Sequence, residues 1–172
     1  MSKKFIASSR LAALLAVGLA ALAPSGAGAA SAGRCGGLVG TYLTKNSVAG
    51  GSQRLTSRSL MSFASSGQIF FTDSGEGGEA GYAPFTDGRG AWRCLGGGKA
   101  RATTLDFTLP AAGESKSRIG RLDMDFSYDA KNKTITGTGV LYFVPLTADP
   151  MQASELKDGR DFKLTGQRVE AP

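Results

Sequence analysis

From Cys35 onward, apolar positions alternate with polar ones at a spacing of two, as in strands with one wet face and one dry face. The clearest run is "KARATTLDFTL" (99–109), where Leu105, Phe107 and Leu109 share one face and Thr104, Asp106 and Thr108 the other. "RLDMDFSYD" (121–129) repeats the pattern, with Leu122, Met124, Phe126 and Tyr128 against Asp123, Asp125 and Ser127. Shorter β-prone runs are "LVGTYLTK" (38–45), "GAWRCLG" (90–96), "TITGTGVLYFVP" (134–145) and "RDFKLTGQRVE" (160–170). "SLMSFASSGQIFFTDS" (59–74) reads as two strands around a Ser-Ser-Gly turn, and "DAKNK" (129–133) as a turn. Helix is expected only in "DPMQASELKDG", with Asp149 as cap, Pro150 in the first turn and Gly159 as stop.

Eight strands with mostly short connections predict an all-β chain. An antiparallel up-and-down barrel is the expected architecture, with a β-sandwich as the alternative. Gly137 and Gly139 inside one strand favour the barrel, because a strongly coiled sheet needs such positions. Two connections are long, 46–56 and 74–90. Loops of that length in a small domain are functional or irregular. The second is glycine-rich and acidic yet carries Tyr82 and Phe85, either as a lid over one barrel mouth or tucked against a sheet edge.

The ends and the composition narrow the chemistry. Lys3, Lys4 and Arg10 precede the apolar "LAALLAVGLAALA", and "AGAA" offers small residues for cleavage. Residues 1–29 therefore read as a secretory signal peptide, and 30–172 as one domain of about 140 residues, exported to the periplasm or the medium. Removing those three cations from the formal net charge of +6 leaves +3. The remaining basic residues are scattered, so no nucleic-acid partner is expected. No second apolar stretch suggests a membrane span in the mature chain. Export permits a disulfide, and two cysteines allow only Cys35 with Cys94. There is no histidine, which removes Ser-His-Asp and Cys-His machinery and the usual zinc sites. No cofactor and no metal site is expected.

"GTY" at 40–42 resembles the Gly-x-Trp signature of a lipocalin's first strand, with Tyr42 in place of the tryptophan. "TGQR" at 165–168 resembles the closing strand of the same superfamily, where an arginine packs over that aromatic. "FTDGRGAWRC" and "TTLDFTL" are similar to bacterial secreted lipocalin-like proteins. The resemblance implies a calycin-type barrel, a structural pair between Tyr42 and Arg168, and an interior that holds a small ligand.

On this basis the expected ligand-binding residues are Trp92, Leu105, Phe107, Leu122, Met124, Phe126 and Tyr128, all taken to face inward, under a lid of Tyr82 and Phe85. Each of these side chains has an alternative role as plain core filling, Trp92 above all. Asp106, Asp123 and Asp125 are assigned to the outer, wet face. The leading function is an exported binding protein for a small hydrophobic molecule. One alternative is an isomerase or cyclase that works by confinement, by analogy with the calycin-like allene oxide cyclase barrels. Another is a protein-interaction module of the envelope or the medium.

Overall fold

The structure is a computed structural model and describes residues 35–50, 53–78, 82–110 and 116–172. The expected signal peptide and cleavage site lie outside these residues. A 3₁₀ turn at Gly36–Leu38 leads into eight strands: β1 (Gly40–Gly50), β2 (Gln53–Phe63), β3 (Gln68–Asp73), β4 (Gly88–Gly96), β5 (Lys99–Thr108), β6 (Arg118–Asp129), β7 (Thr134–Pro145) and β8 (Arg160–Arg168). Each pairs antiparallel with the next, and β8 returns to β1, closing the barrel. This is the expected up-and-down barrel; the sandwich is excluded. It is also the architecture that the calycin resemblance implied.

One end is sealed by aromatic packing. Phe63 sits edge-on to Tyr42, Trp92 and Phe126, with ring centroids 5.9, 5.7 and 5.0 Å apart. Tyr128 completes the layer at 6.3 Å from Tyr42. Such rings contribute large apolar area and favourable edge-to-face geometry. The 3₁₀ turn covers this end, with Leu38 fully buried, and the Cys35–Cys94 disulfide ties it to β4. Tyr42 donates its hydroxyl to the carbonyls of Gly37 and Leu38, while Arg168 donates to those of Gly37 and Val39. Tyr42 and Arg168 are register partners across β1 and β8. They are joined through the covering turn and both donate to Gly37. Burial first, then Tyr128, pushes the Tyr42 phenol up to about 12, against the lowering effect of Arg168.

The side-chain parity of β5 is the reverse of the expected one. Directly opposed residues of an antiparallel pair share a face. Ala100, Ala102, Thr104 and Asp106 oppose Phe126, Met124, Leu122 and Gly120 of β6, and all point inward. Leu105, Phe107 and Leu109 therefore face outward, Phe107 being 56 % exposed. The physical reason is volume. The large inward side chains of β6 leave room only for small partners on β5, and a one-residue slip of register moves a whole row to the other face. Asp123 and Asp125 lie outside as expected, where Asp123 accepts from Thr103 and Asp125 pairs with Arg101.

Two further expectations are corrected. Residues 46–56 are not a long connection, because β1 and β2 pair as far as Gly50 and Gln53. The inward side chains at this end of the pair include Asn46 and Val48 of β1 and Ser57 and Ser59 of β2, so the hydrophobic alternation is interrupted although the strands continue. Residues 149–159 form no α-helix, only a 3₁₀ turn at Ala153–Glu155. Asp149 accepts the Met151 amide, and Arg121 of β6 donates to the Pro150 carbonyl at 2.6 Å, holding this segment on the outer face of the barrel.

The parity of β5 yields a direct stability prediction. Phe107→Asp should change unfolding free energy by no more than about 0.5 kcal/mol, as expected for an exposed site. Phe126→Ala, in the sealed end, should cost about 3–5 kcal/mol. Urea unfolding of the two variants checks the assignment, and the reverse order of effects would restore the original parity.

Candidate functional site

The other end of the barrel holds a cavity of about 60 Å³, room for roughly four waters. Its walls are apolar on one side, with Met61, Phe71, Leu122, Leu141 and Phe162, all buried. Phe143, Tyr82 and Phe85 roof it. Phe85 bridges to Thr108 at the end of β5, and the Leu109 amide donates to the Pro84 carbonyl at 2.7 Å. Tyr82 and Phe85 thus border this cavity, and the segment at Pro84 and Phe85 is bonded along the end of β5. Tyr82 stands edge-on to Phe85 at 5.7 Å and to Phe143 at 6.3 Å. Arg160 lies over the Phe143 ring, 5.2 Å from its centroid.

Two carboxylates reach this space from inward positions, and their surroundings differ. Asp73, at the end of β3, is saturated: one oxygen accepts from Asn46, Ser57 and Ser59 at 2.9, 2.8 and 2.5 Å, and the other from the Gly75 amide at 2.8 Å. Asn46 also donates to Ser59 and accepts from Thr44, locking the cluster. A carboxylate with this many donors is a structural fixture. Asp106 is 7 % exposed, and no side chain or backbone amide among the described residues donates to it. Burial first, and then the charge of Glu76, raises its carboxyl from 3.8 to about 7. Opposite it on β6 stands Gly120; a Cβ there would collide with the Asp106 carboxyl, so the absence of a side chain is what admits the aspartate. Burial, with Asp106 next, also pushes the Tyr82 phenol well above its ordinary value.

Of the expected site residues, Leu122, Tyr82 and Phe85 meet at this cavity. Trp92, Met124, Phe126 and Tyr128 face inward but do not border it. Trp92, Phe126 and Tyr128 belong to the sealed end, where the Trp92 indole donates to the Ala64 carbonyl at 2.9 Å. Trp92 is thus a plug beside the disulfide. Leu105 and Phe107 are outside the barrel altogether. Hydrophobic alternation gives no sign of Asp106 or of the Asn46–Ser57–Ser59–Asp73 cluster, because polar inward residues carry the opposite sign to that pattern. One usable signal was present. "KARATT" offers only small side chains on the parity that includes Asp106, which suits a strand facing bulky neighbours.

Among the described residues, no group of three or more Cys, Asp or Glu is placed to hold a metal ion, and no helix is long and apolar enough to cross a membrane. The disulfide is compatible with an extracellular or periplasmic protein. No protein-family model, curated protein or solved structure matches the chain.

Proposed function

We propose that this is an exported binding protein that takes a small, largely apolar molecule into the open end of its barrel. The observation that carries the proposal is the cavity itself: apolar walls, bordering aromatic rings and one buried carboxyl without a partner among the described residues. Binding sites are concave and mostly apolar, with few polar groups that fix orientation. The cavity is small, so a larger ligand must displace Tyr82 and Phe85. Export is supported by the signal-like first 29 residues and by the disulfide. Kinship with secreted lipocalin-like proteins is part of the proposal, supported by the closed eight-stranded barrel and by Tyr42 and Arg168 meeting where first and last strands join.

A blocking variant tests the site. Leu122→Trp should abolish binding of the neutral dye N-phenyl-1-naphthylamine, followed by its fluorescence, whereas outward Phe107→Asp should leave it intact. Dye binding that survives in a folded Leu122→Trp protein, or is lost in Phe107→Asp, would remove this cavity from consideration.

Asp106 also gives specific support to the isomerase alternative. A buried acid that titrates at about 7 is suited to proton transfer at neutral pH. Conversion of a bound compound that ceases in Asp106→Asn, while binding persists, would favour the enzyme over the carrier.

A further inference from the structure

The cavity contains one unanswered chemical demand. Every polar group of the Asn46–Ser57–Ser59–Asp73 cluster has a partner within that cluster or its turn. Asp106 has no donor among the described residues, is more than nine-tenths buried, and lines the same space. A carboxyl so placed is costly to leave unpaired, and a ligand bearing a positive donor would satisfy it.

The charged groups around it favour a cation. Asp73 comes from β3, Glu76 from the turn after it, and Arg160 from β8 at the mouth; Tyr82 is the neutral titratable group of the lid. With Asp106 this makes three acids against one base among the described residues. The base is turned onto Phe143, which shows a cation already resting on one ring of the roof. Tyr82 stands roughly perpendicular to both Phe85 and Phe143, and aromatic rings attract an ammonium group to their faces. With the Asp73 oxygens committed to their own donors, the free Asp106 carboxyl alone falls short of the oxygen ligands, roughly six or more, that a calcium ion takes.

We propose that the natural ligand is a small amine whose ammonium group pairs with Asp106 beneath the rings of Tyr82, Phe85 and Phe143, its apolar body resting on the Met61–Leu122–Leu141 wall. This rests on the cavity reading above and names its ligand class. Gly120 makes the pairing possible by leaving the space that the Asp106 carboxyl occupies.

The test compares 2-phenylethylamine with 2-phenylethanol, which has the same body and no charge. Titrations of the disulfide-bonded protein by calorimetry at pH 7.5 should show the amine binding roughly tenfold or more tightly, the range of a charge-assisted hydrogen bond. In Asp106→Asn that preference should vanish, the amine falling to about the alcohol's affinity. A second readout in the unaltered protein guards against a variant that fails to fold. The carbon-13 titration midpoint of the Asp106 carboxyl should fall with the amine and stay put with the alcohol. Equal binding of amine and alcohol, a preference that survives in folded Asp106→Asn, or an unmoved midpoint would overturn the amine proposal and leave the cavity reading standing. Binding of neither compound would overturn both.

Discussion

At pH 8, Asp106→Asn should be more stable than the unaltered protein by up to about 4 kcal/mol, and near pH 4 the two should coincide. The figure follows from a carboxyl raised from 3.8 to about 7 by burial and by Glu76, at about 1.4 kcal/mol per unit. The sign comes from proton binding. The folded state holds the Asp106 proton more tightly than the unfolded chain, so folding takes up a proton between about pH 4 and 7. That contribution is complete below about pH 4 and is lost as pH rises through about 7, above which a buried charge without a partner must be tolerated. Asparagine keeps the shape and removes the titration. The difference between the two proteins isolates this group from all others that change with pH. Urea midpoints measured at intervals from pH 4 to 8 check it. Parallel curves would place Asp106 in water and dismantle the site.

The second large effect belongs to the sealed end. Replacing Cys35 and Cys94 together with serine should lower stability by about 4 kcal/mol, the loop-closure value for a span of 59 residues. The loss should appear as a shift in urea midpoint on comparing the oxidised protein with the double variant. Ligand binding by the fraction that remains folded should be unchanged, since the disulfide and the cavity occupy opposite ends of the barrel. A loss under about 1 kcal/mol would mean that the Tyr42 and Arg168 bonds to Gly37 hold the covering turn without covalent help.

The two ends of the barrel differ in how far the sequence reveals them. At the sealed end, Trp92, Phe126 and Tyr128 obey simple alternation, and the only two cysteines admit a single pairing. At the open end the inward positions include Asn46, Ser57, Ser59, Asp73 and Asp106, so a rule that seeks apolar residues inside inverts there. The inversion made β5 appear to bury Leu105 and Phe107, and made 46–56 appear to be a loop. Both errors have one cause. The polar side chains on one side of the cavity break the hydrophobic pattern at that end, whereas the packed end preserves it. The register of β5 against β6 is also hidden, since the connection 109–117, although it carries Pro110 and Gly113, is too long for a tight hairpin turn to fix it, and volume matching of Ala102 with Met124 decides it instead. Tyr82 and Phe85 stand out in the sequence because aromatics in a glycine-rich, acidic connection are out of place unless they pack against something, and both border the cavity.

The most direct test of the central claim is to locate a bound ligand by methyl NMR, titrating 2-phenylethylamine into protein labelled at its Met, Leu, Ile and Val methyl groups. Shifts concentrated at Met61, Leu122 and Leu141, with Ile69 and Ile135 of the sealed end unmoved, are the predicted result. Shifts confined to outward Leu43, Leu60 and Leu105, with the cavity methyls silent, would contradict it and make the outer surface the binding face.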